Sequence, residues 1–196
     1  MRLNITMTRT IGYIVGSISS TSINRRLAKA LERLAPEGVE IKEIPIKDLG
    51  FYSPDHDANY PAEAVAFKQA IADVDGVIIV TPEYSRSIPG VLKNALDWSA
   101  RPWGQGSFDG KPVAIIGTSG GGIATAAAQQ HLKAIFSHYN APVLGQPEGY
   151  VQTTPGLFTE DGEVTNEGTA EFLRSYLAAF EALIERYVPA EELANA

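Results

Sequence analysis

Three short stretches carry residue types that could do chemistry. Residues 16–24, GSISSTSIN, offer hydroxyls from Ser17, Ser19, Ser20, Thr21 and Ser22 and an amide from Asn24, directly ahead of a helical pattern. Together with the free N–H groups of a helix N-terminus, such a set binds a phosphate; the same residue types also serve as plain helix caps. Residues 119–122, SGGG, place unhindered backbone N–H groups after an apolar run, where they would stabilise negative charge on the edge of a planar ring. A glycine-rich turn that only lets a helix pack closely is the other reading. Residues 81–87, TPEYSRS, present Tyr84 either to stack on a ring or to lie half-buried on the surface. Glu83 has three readings, a ligand contact through its backbone, an acid or base, or a solvated charge, and the backbone contact is favoured.

The elements that must position these stretches follow from periodicity. Residues 76–80 (GVIIV) are β-branched and apolar on both faces, as in a central strand of a parallel sheet. Ser87 is expected to cap the helix that follows, with Pro89 in its first turn and Ile88, Val91, Leu92, Ala95, Leu96 and Ser99 on its inner face. Residues 10–16 and 112–118 read as further buried strands, 39–44 as an alternating edge strand, and 141–145 as a short fifth strand. Helical stripes run through Ile23 to Leu34, Ala64 to Val74, an Ala-rich segment reaching Phe136, and 166–187. Five strands alternating with helices predict an α/β fold of three layers around a parallel sheet in the order 2-1-3-4-5. In that sheet the loops after strands one, three and four open at one edge, so the three chemical stretches converge.

Composition narrows the field. The 196 residues are taken as a single domain spanning 1–196, with 1–9 and 189–196 loosely ordered. A formal charge of -7, with no basic cluster longer than Arg25-Arg26, argues against nucleic acid or an anionic membrane as partner. No cysteine is present, which excludes disulfides, thiolate catalysis and iron–sulfur clusters, and fits the cytoplasm. No apolar run has the length of a membrane span or the form of a signal peptide. His56, His131 and His138 lack metal-site spacing, so no metal and no catalytic histidine is expected. Neither the Gly-x-x-x-x-Gly-Lys loop of nucleotide hydrolases nor the Gly-x-Gly-x-x-Gly dinucleotide loop occurs.

At TPEYSRSIPGVLKNALDW the chain resembles the NADPH-dependent FMN reductases of flavodoxin-like fold, particularly their chromate and quinone reductase branch, whose signature is TPEYN-x-SIPG-x-LKNA-x-DW. GSISSTSIN is similar to that family's GS-x-R-x-x-S-x-N phosphate loop, and GTSGGG to its SGG loop; in order and spacing the likeness covers residues 10–145. The resemblance implies that Ser17, Ser22 and Asn24 hold the FMN phosphate, with Ser19 and Ile23 also at the cofactor. It implies that Pro82, Glu83, Tyr84 and Ser85 line the isoalloxazine and that Ser119, Gly120 and Gly121 lie on its pyrimidine side. The family's phosphate-loop arginine is Ser19 here, and the asparagine after Glu-Tyr is Ser85.

The implied activity is FMN-dependent oxidation of NADPH or NADH with ping-pong transfer of hydride, through FMN N5, to a quinone or another small acceptor such as free flavin, chromate, or an azo or nitro compound. No side chain needs to act as a general acid. The resemblance further implies a homodimer or homotetramer, for which Trp98, Arg101, Pro102 and Trp103 are candidate contacts unless the tryptophans belong to the core. Two other readings compete: a flavodoxin-type FMN electron carrier that does not turn over nicotinamide, and a noncatalytic nucleotide-binding regulator.

Overall fold

The computed structural model describes residues 9–188, so the expected loose ends lie outside the described residues except for Arg9, which is the first residue of a strand. The elements alternate as β1 (Arg9–Val15), α1 (Ile23–Arg33), β2 (Val39–Glu43), α2 (Ala62–Ala72), β3 (Gly76–Val80), α3 (Gly90–Ala100), β4 (Val113–Ser119), α4 (Ala126–His138), β5 (Gly149–Gln152) and α5 (Glu167–Tyr187). The strands form one parallel sheet in the order β2-β1-β3-β4-β5, as expected.

Each central strand buries both faces because successive side chains point opposite ways. Tyr13, Val15, Ile78, Val80, Ala114 and Ile116 pack against Leu27 and Leu31 of α1 and Leu173, Leu177 and Phe180 of α5. The alternate residues Ile14, Val77, Ile79, Val113 and Ile115 face Phe67 and Ile71 of α2, Leu92 and Leu96 of α3 and Leu132 and Phe136 of α4. The result is the predicted three layers. At Gly117 an added Cβ would overlap the Thr81 carbonyl oxygen and the Thr125 hydroxyl, so only glycine lets β4 approach the loop after β3 so closely.

Two expectations fail. The fifth strand is not 141–145: that segment makes a single parallel bridge, Val113 with Val143, and the continuous ladder forms only at Gly149–Gln152, where Ile116 pairs with Gly149 and Ser119 with Gln152. Gly145, Gln146 and Pro147 interrupt the pairing, and Pro147 has no N–H to donate. Gly149 then allows the approach, since a Cβ there would sit 2.7 Å from the Ile115 carbonyl oxygen. Nor does Ser87 cap α3. The N-cap is Pro89, without a side-chain hydrogen bond, because Ser87 exchanges two backbone hydrogen bonds of 3.0 Å with Tyr84.

The flank of α3 is a closed aromatic cluster. Trp98 is buried, donates its ring N–H to the Gly50 carbonyl at 2.8 Å, and meets Tyr52 and Tyr60 edge-on at 5.2 and 5.1 Å. Asn94, one turn earlier, fastens the same loop by accepting from Tyr52 N–H and donating to the Gly50 carbonyl, each at 2.9 Å. Arg101 pairs with Asp57 and holds its carboxyl below the usual carboxylate range. Trp98 is therefore core, whereas Trp103 remains 80% exposed.

Candidate functional site

The carboxyl ends of β1, β3 and β4 bring the three stretches together. Ser17 follows β1, and its hydroxyl lies 3.4 Å from the phenol oxygen of Tyr84 in the loop after β3. Residues 83, 85, 119 and 121 line one cavity of about 380 Å³, completed by Arg86, Gly122, Ile123 and Ala124. A volume of this order accommodates one face of a planar ring system. Ile123 in its wall stays about half exposed, as does Tyr84, the residue between the lining Glu83 and Ser85.

Several of the expected contact residues turn out to join the loops to one another. Asn24 is buried, and its amide faces the Thr118 backbone in both senses: it donates to the carbonyl and accepts from the N–H, each at 2.9 Å. A side chain with both ends engaged ties the start of α1 to the end of β4. Ser22 is the N-cap of α1, accepting from Arg25 N–H at 3.4 Å. Ser119 knots its own loop, donating to the Ala124 carbonyl at 3.0 Å and accepting from Gly121 N–H at 3.0 Å. The buried Glu83 carboxylate accepts from Ala128 N–H at 3.1 Å, at the third residue of α4, and pairs with Arg86 at 3.0 Å. It supplies the charge that Thr125, an N-cap whose side chain makes no capping bond, does not. None of the three sequence readings of Glu83 included this capping role.

What remains free is mostly backbone. Among the described residues no partner is found for the N–H groups of Ile18, Ser20, Glu83, Gly120 and Gly122, all at this edge. The first turn of α1 carries no acidic residue, and Ile23 and Asn24 are its first two members. These amides, with the hydroxyls of Ser17, Ser19 and Thr21, form an uncharged donor cradle suited to a phosphate at a helix N-terminus. Ser19 itself is exposed and turned toward Thr21 at 3.3 Å. The residues present thus fit an FMN: a loop of amides and hydroxyls at a helix N-terminus, suited to a phosphate, near a cavity bordered by the glycine-rich loop. Among the described residues no cluster of His, Asp and Glu could hold a metal ion.

The cavity is also where the backbone is strained. Among the described residues four non-glycines adopt positive φ, and three of them, Ser85 (51°), Arg86 (65°) and Ala124 (49°), line it. Left-handed conformations cost such residues roughly 1–2 kcal/mol each, and persist where neighbouring contacts over-determine them. Here the two-way Tyr84 and Ser87 bridge, the Glu83 cap and the Ser87 hydroxyl, 2.9 Å from His131 Nδ1 on α4, fix the turn. His131 therefore belongs to the support of the site, a contact that sequence spacing gave no means of finding.

With the fifth strand at Gly149–Gln152 rather than 141–145, a fourth loop reaches the same edge. Residues 153–156 follow the true β5, Thr153 N–H donates to the Ser119 carbonyl at 2.9 Å, and this loop borders Gly120.

Residues 9–155 match the family of NADPH-dependent FMN reductases. A 2-hydroxy-1,4-benzoquinone reductase of Burkholderia sp is 45% identical over 174 residues, covering 89% of this chain and 95% of the relative. A quinone reductase of Escherichia coli K12 is 38% identical over 179 residues, covering 88% and 94%. Among solved structures, FerB, a flavoenzyme NAD(P)H:(acceptor) oxidoreductase from Paracoccus denitrificans, superposes with a TM-score of 0.87 at 41% identity, covering 92% of this chain and 99% of that one.

Proposed function

Because this chain belongs to the NADPH-dependent FMN reductase family and is an FMN-dependent NAD(P)H oxidoreductase, we propose that it reduces quinones by a ping-pong route in which nicotinamide and acceptor stack in turn on the open face of a flavin held in one cavity. The observation that carries this reading is the cavity of about 380 Å³ between the Glu83 and Ser119 loops, lined by the left-handed Ser85, Arg86 and Ala124. FMN, when bound, supplies the two-electron chemistry. The protein's residues do the positioning. The Ile18 and Ser20 amides and the hydroxyls of Ser17 and Ser19 take the phosphate, while Asn24 and Ser22 keep that loop in register with β4 and α1. The unpartnered Gly120 and Gly122 amides would be the donors to the bound ring, where fixed donors favour added negative charge without reorganising. Pro82, Tyr84 and Ser85 close one side, and the half-exposed Tyr84 leaves room for a second flat molecule to stack.

Quinones are favoured over other acceptors by the relatives' names, and a flat neutral ring matches a cleft walled by the half-exposed Ile123. The wider reading extends to a homodimer or homotetramer. It is supported by a groove of about 980 Å³ on the α3 and α4 flank, bordered by Tyr52, Ile135, Tyr139 and the exposed Trp103. A single flavodoxin-like domain over 1–196, located in the cytoplasm, is consistent with one continuous sheet, the lack of cysteine and the lack, among the described residues, of a helix long and apolar enough to cross a membrane.

The test is anaerobic. FMN-loaded protein is mixed with NADPH or NADH, the oxidised-flavin absorbance is followed, and benzoquinone is then added. Rapid bleaching reversed by the quinone, with parallel double-reciprocal lines in steady state, is expected. Flavin that stays oxidised with both nucleotides would leave only an electron carrier.

A further inference from the structure

On the far side of the glycine-rich loop lies a second cavity of about 320 Å³ whose lining includes only Ile23 and Gly120 of the expected site residues. Its wall includes Gly120, whereas Ser119, Gly121 and Gly122 line the first cavity, so one four-residue ridge separates the two. The lining combines apolar surface from Ile23 and the buried Phe158 with the hydroxyls of Thr153 and Thr154 and the guanidinium of Arg26; it contains no carboxylate.

Arg26 differs from the other arginines near the edge. Arg25 is held by both oxygens of Glu43 at 2.7 and 2.8 Å, and Arg86 by Glu83 at 3.0 Å. Arg26 has only a 3.8 Å contact with Glu160, whose side chain is 92% exposed, while its own side chain is 35% exposed. So weak a pair is readily exchanged for a phosphate, which a guanidinium grips through two parallel N–H bonds.

We propose that this cavity receives the adenosine 2′-phosphate end of NADPH, with the adenine between Ile23 and Phe158 and the 2′-phosphate on Arg26, Thr153 and Thr154. A two-headed substrate lying across the ridge would reach both the flavin in the first cavity and this second cavity, whereas a one-ring quinone would reach only the flavin. The assignment rests on the reductase reading, and it returns to the chain, from the first turns of α1, a positive charge that Ser19 removes from the phosphate loop.

The test separates this subsite from turnover. FMN-loaded protein is titrated by calorimetry with adenosine 2′,5′-bisphosphate and, separately, with AMP, each with NADPH as competitor. The bisphosphate should bind about tenfold more tightly than AMP, and Arg26→Gln should erase that difference, a factor of ten being what one charge-assisted contact of about 1.4 kcal/mol supplies. In steady state Arg26→Gln should raise KM for NADPH roughly tenfold with kcat and KM for NADH little moved, and Arg26→Lys should restore part of the loss. Melting temperature and flavin content of the variants establish that they are folded and loaded. Equal binding of bisphosphate and AMP by the native protein would overturn the assignment. So would loss of FMN from Arg26→Gln, which would give the arginine to the flavin phosphate. Bisphosphate binding without any NADPH oxidation would instead sink the reductase reading and leave the anion subsite standing.

Discussion

The stretch TPEYSRSIPGVLKNALDW is divided between two regions of the molecule that treat their polar and aromatic residues in opposite ways. Its second half lies on the α3 flank, where Asn94 and Trp98 both reach Gly50 and the aromatic rings of Tyr52 and Tyr60 close over the indole. Its first half lies at the carboxyl edge of the sheet, where Tyr84 is half exposed and Ser85 and Arg86 are held at positive φ beside a cavity. A single motif therefore contains residues that secure the fold and residues that shape a ligand site, and the motif alone does not say which is which. The difference can be measured, since flank substitutions should lower stability with little effect on flavin affinity, and edge substitutions should do the reverse.

The largest effect belongs to the flank. Trp98→Ala removes a fully buried indole, its hydrogen bond to Gly50 and two edge-on contacts, for an expected loss of about 3–5 kcal/mol. Urea unfolding should show the loss, while flavin fluorescence titration of the protein that remains folded should return a nearly unchanged FMN dissociation constant. A tenfold weaker constant would mean that flank and edge are coupled.

Asn24→Ala comes next and mixes the two behaviours. It deletes two buried hydrogen bonds and strands the Thr118 N–H and carbonyl, at a cost of roughly 2–3 kcal/mol. Because those bonds set the register of the phosphate loop against β4, FMN binding should weaken at least about tenfold as well. Glu83→Gln should cost less, about 1 kcal/mol, since the amide oxygen can still accept from Ala128 N–H but the charge at the start of α4 and the Arg86 pair are lost. A fall in the rate of flavin reduction larger than the fall in melting temperature would place its main effect on the turn.

These residues also mark how far the sequence could be read. The sheet order and both faces of the core were legible, because continuous apolar strands and helical stripes follow directly from burial. So was the meeting of the loops at one edge, which topology alone requires. The fifth strand was not: Ala141 to Gly145 is the more apolar segment, yet the ladder forms where Gly149 lets the backbones approach. That displacement hid Thr153 and Thr154 from the site. The roles of Asn24, Ser119 and Glu83 were hidden for another reason. Their types suit ligand contact and loop bracing equally, and for two of them the choice depends on partners far away in sequence, Thr118 for Asn24 and Ala128 for Glu83, while Ser119 bonds within its own loop to Ala124 and Gly121.

The smallest prediction sharpens the comparison at a single residue. Ser85 stands at φ 51° in a turn whose next residue, Arg86, is also left-handed. Asparagine tolerates that region better than serine because its side-chain amide can hydrogen-bond locally. Ser85→Asn should therefore stabilise the protein by about 0.5 kcal/mol, a fraction of the roughly 1–2 kcal/mol that a left-handed residue costs. Ser85→Gly would relieve the same strain but return part of the gain, since glycine also gives the unfolded chain more freedom. The order of melting temperatures should be asparagine above glycine, with glycine near or above serine. If asparagine falls below serine, the Ser85 side chain makes a contribution to the turn that outweighs backbone strain. Flavin affinity measured on the same two variants then divides the effect. An unchanged dissociation constant means the strain is structural, imposed by the Glu83 and Tyr84 contacts. A change in affinity that tracks the change in stability means the free protein stores strain at this edge that bound FMN relieves.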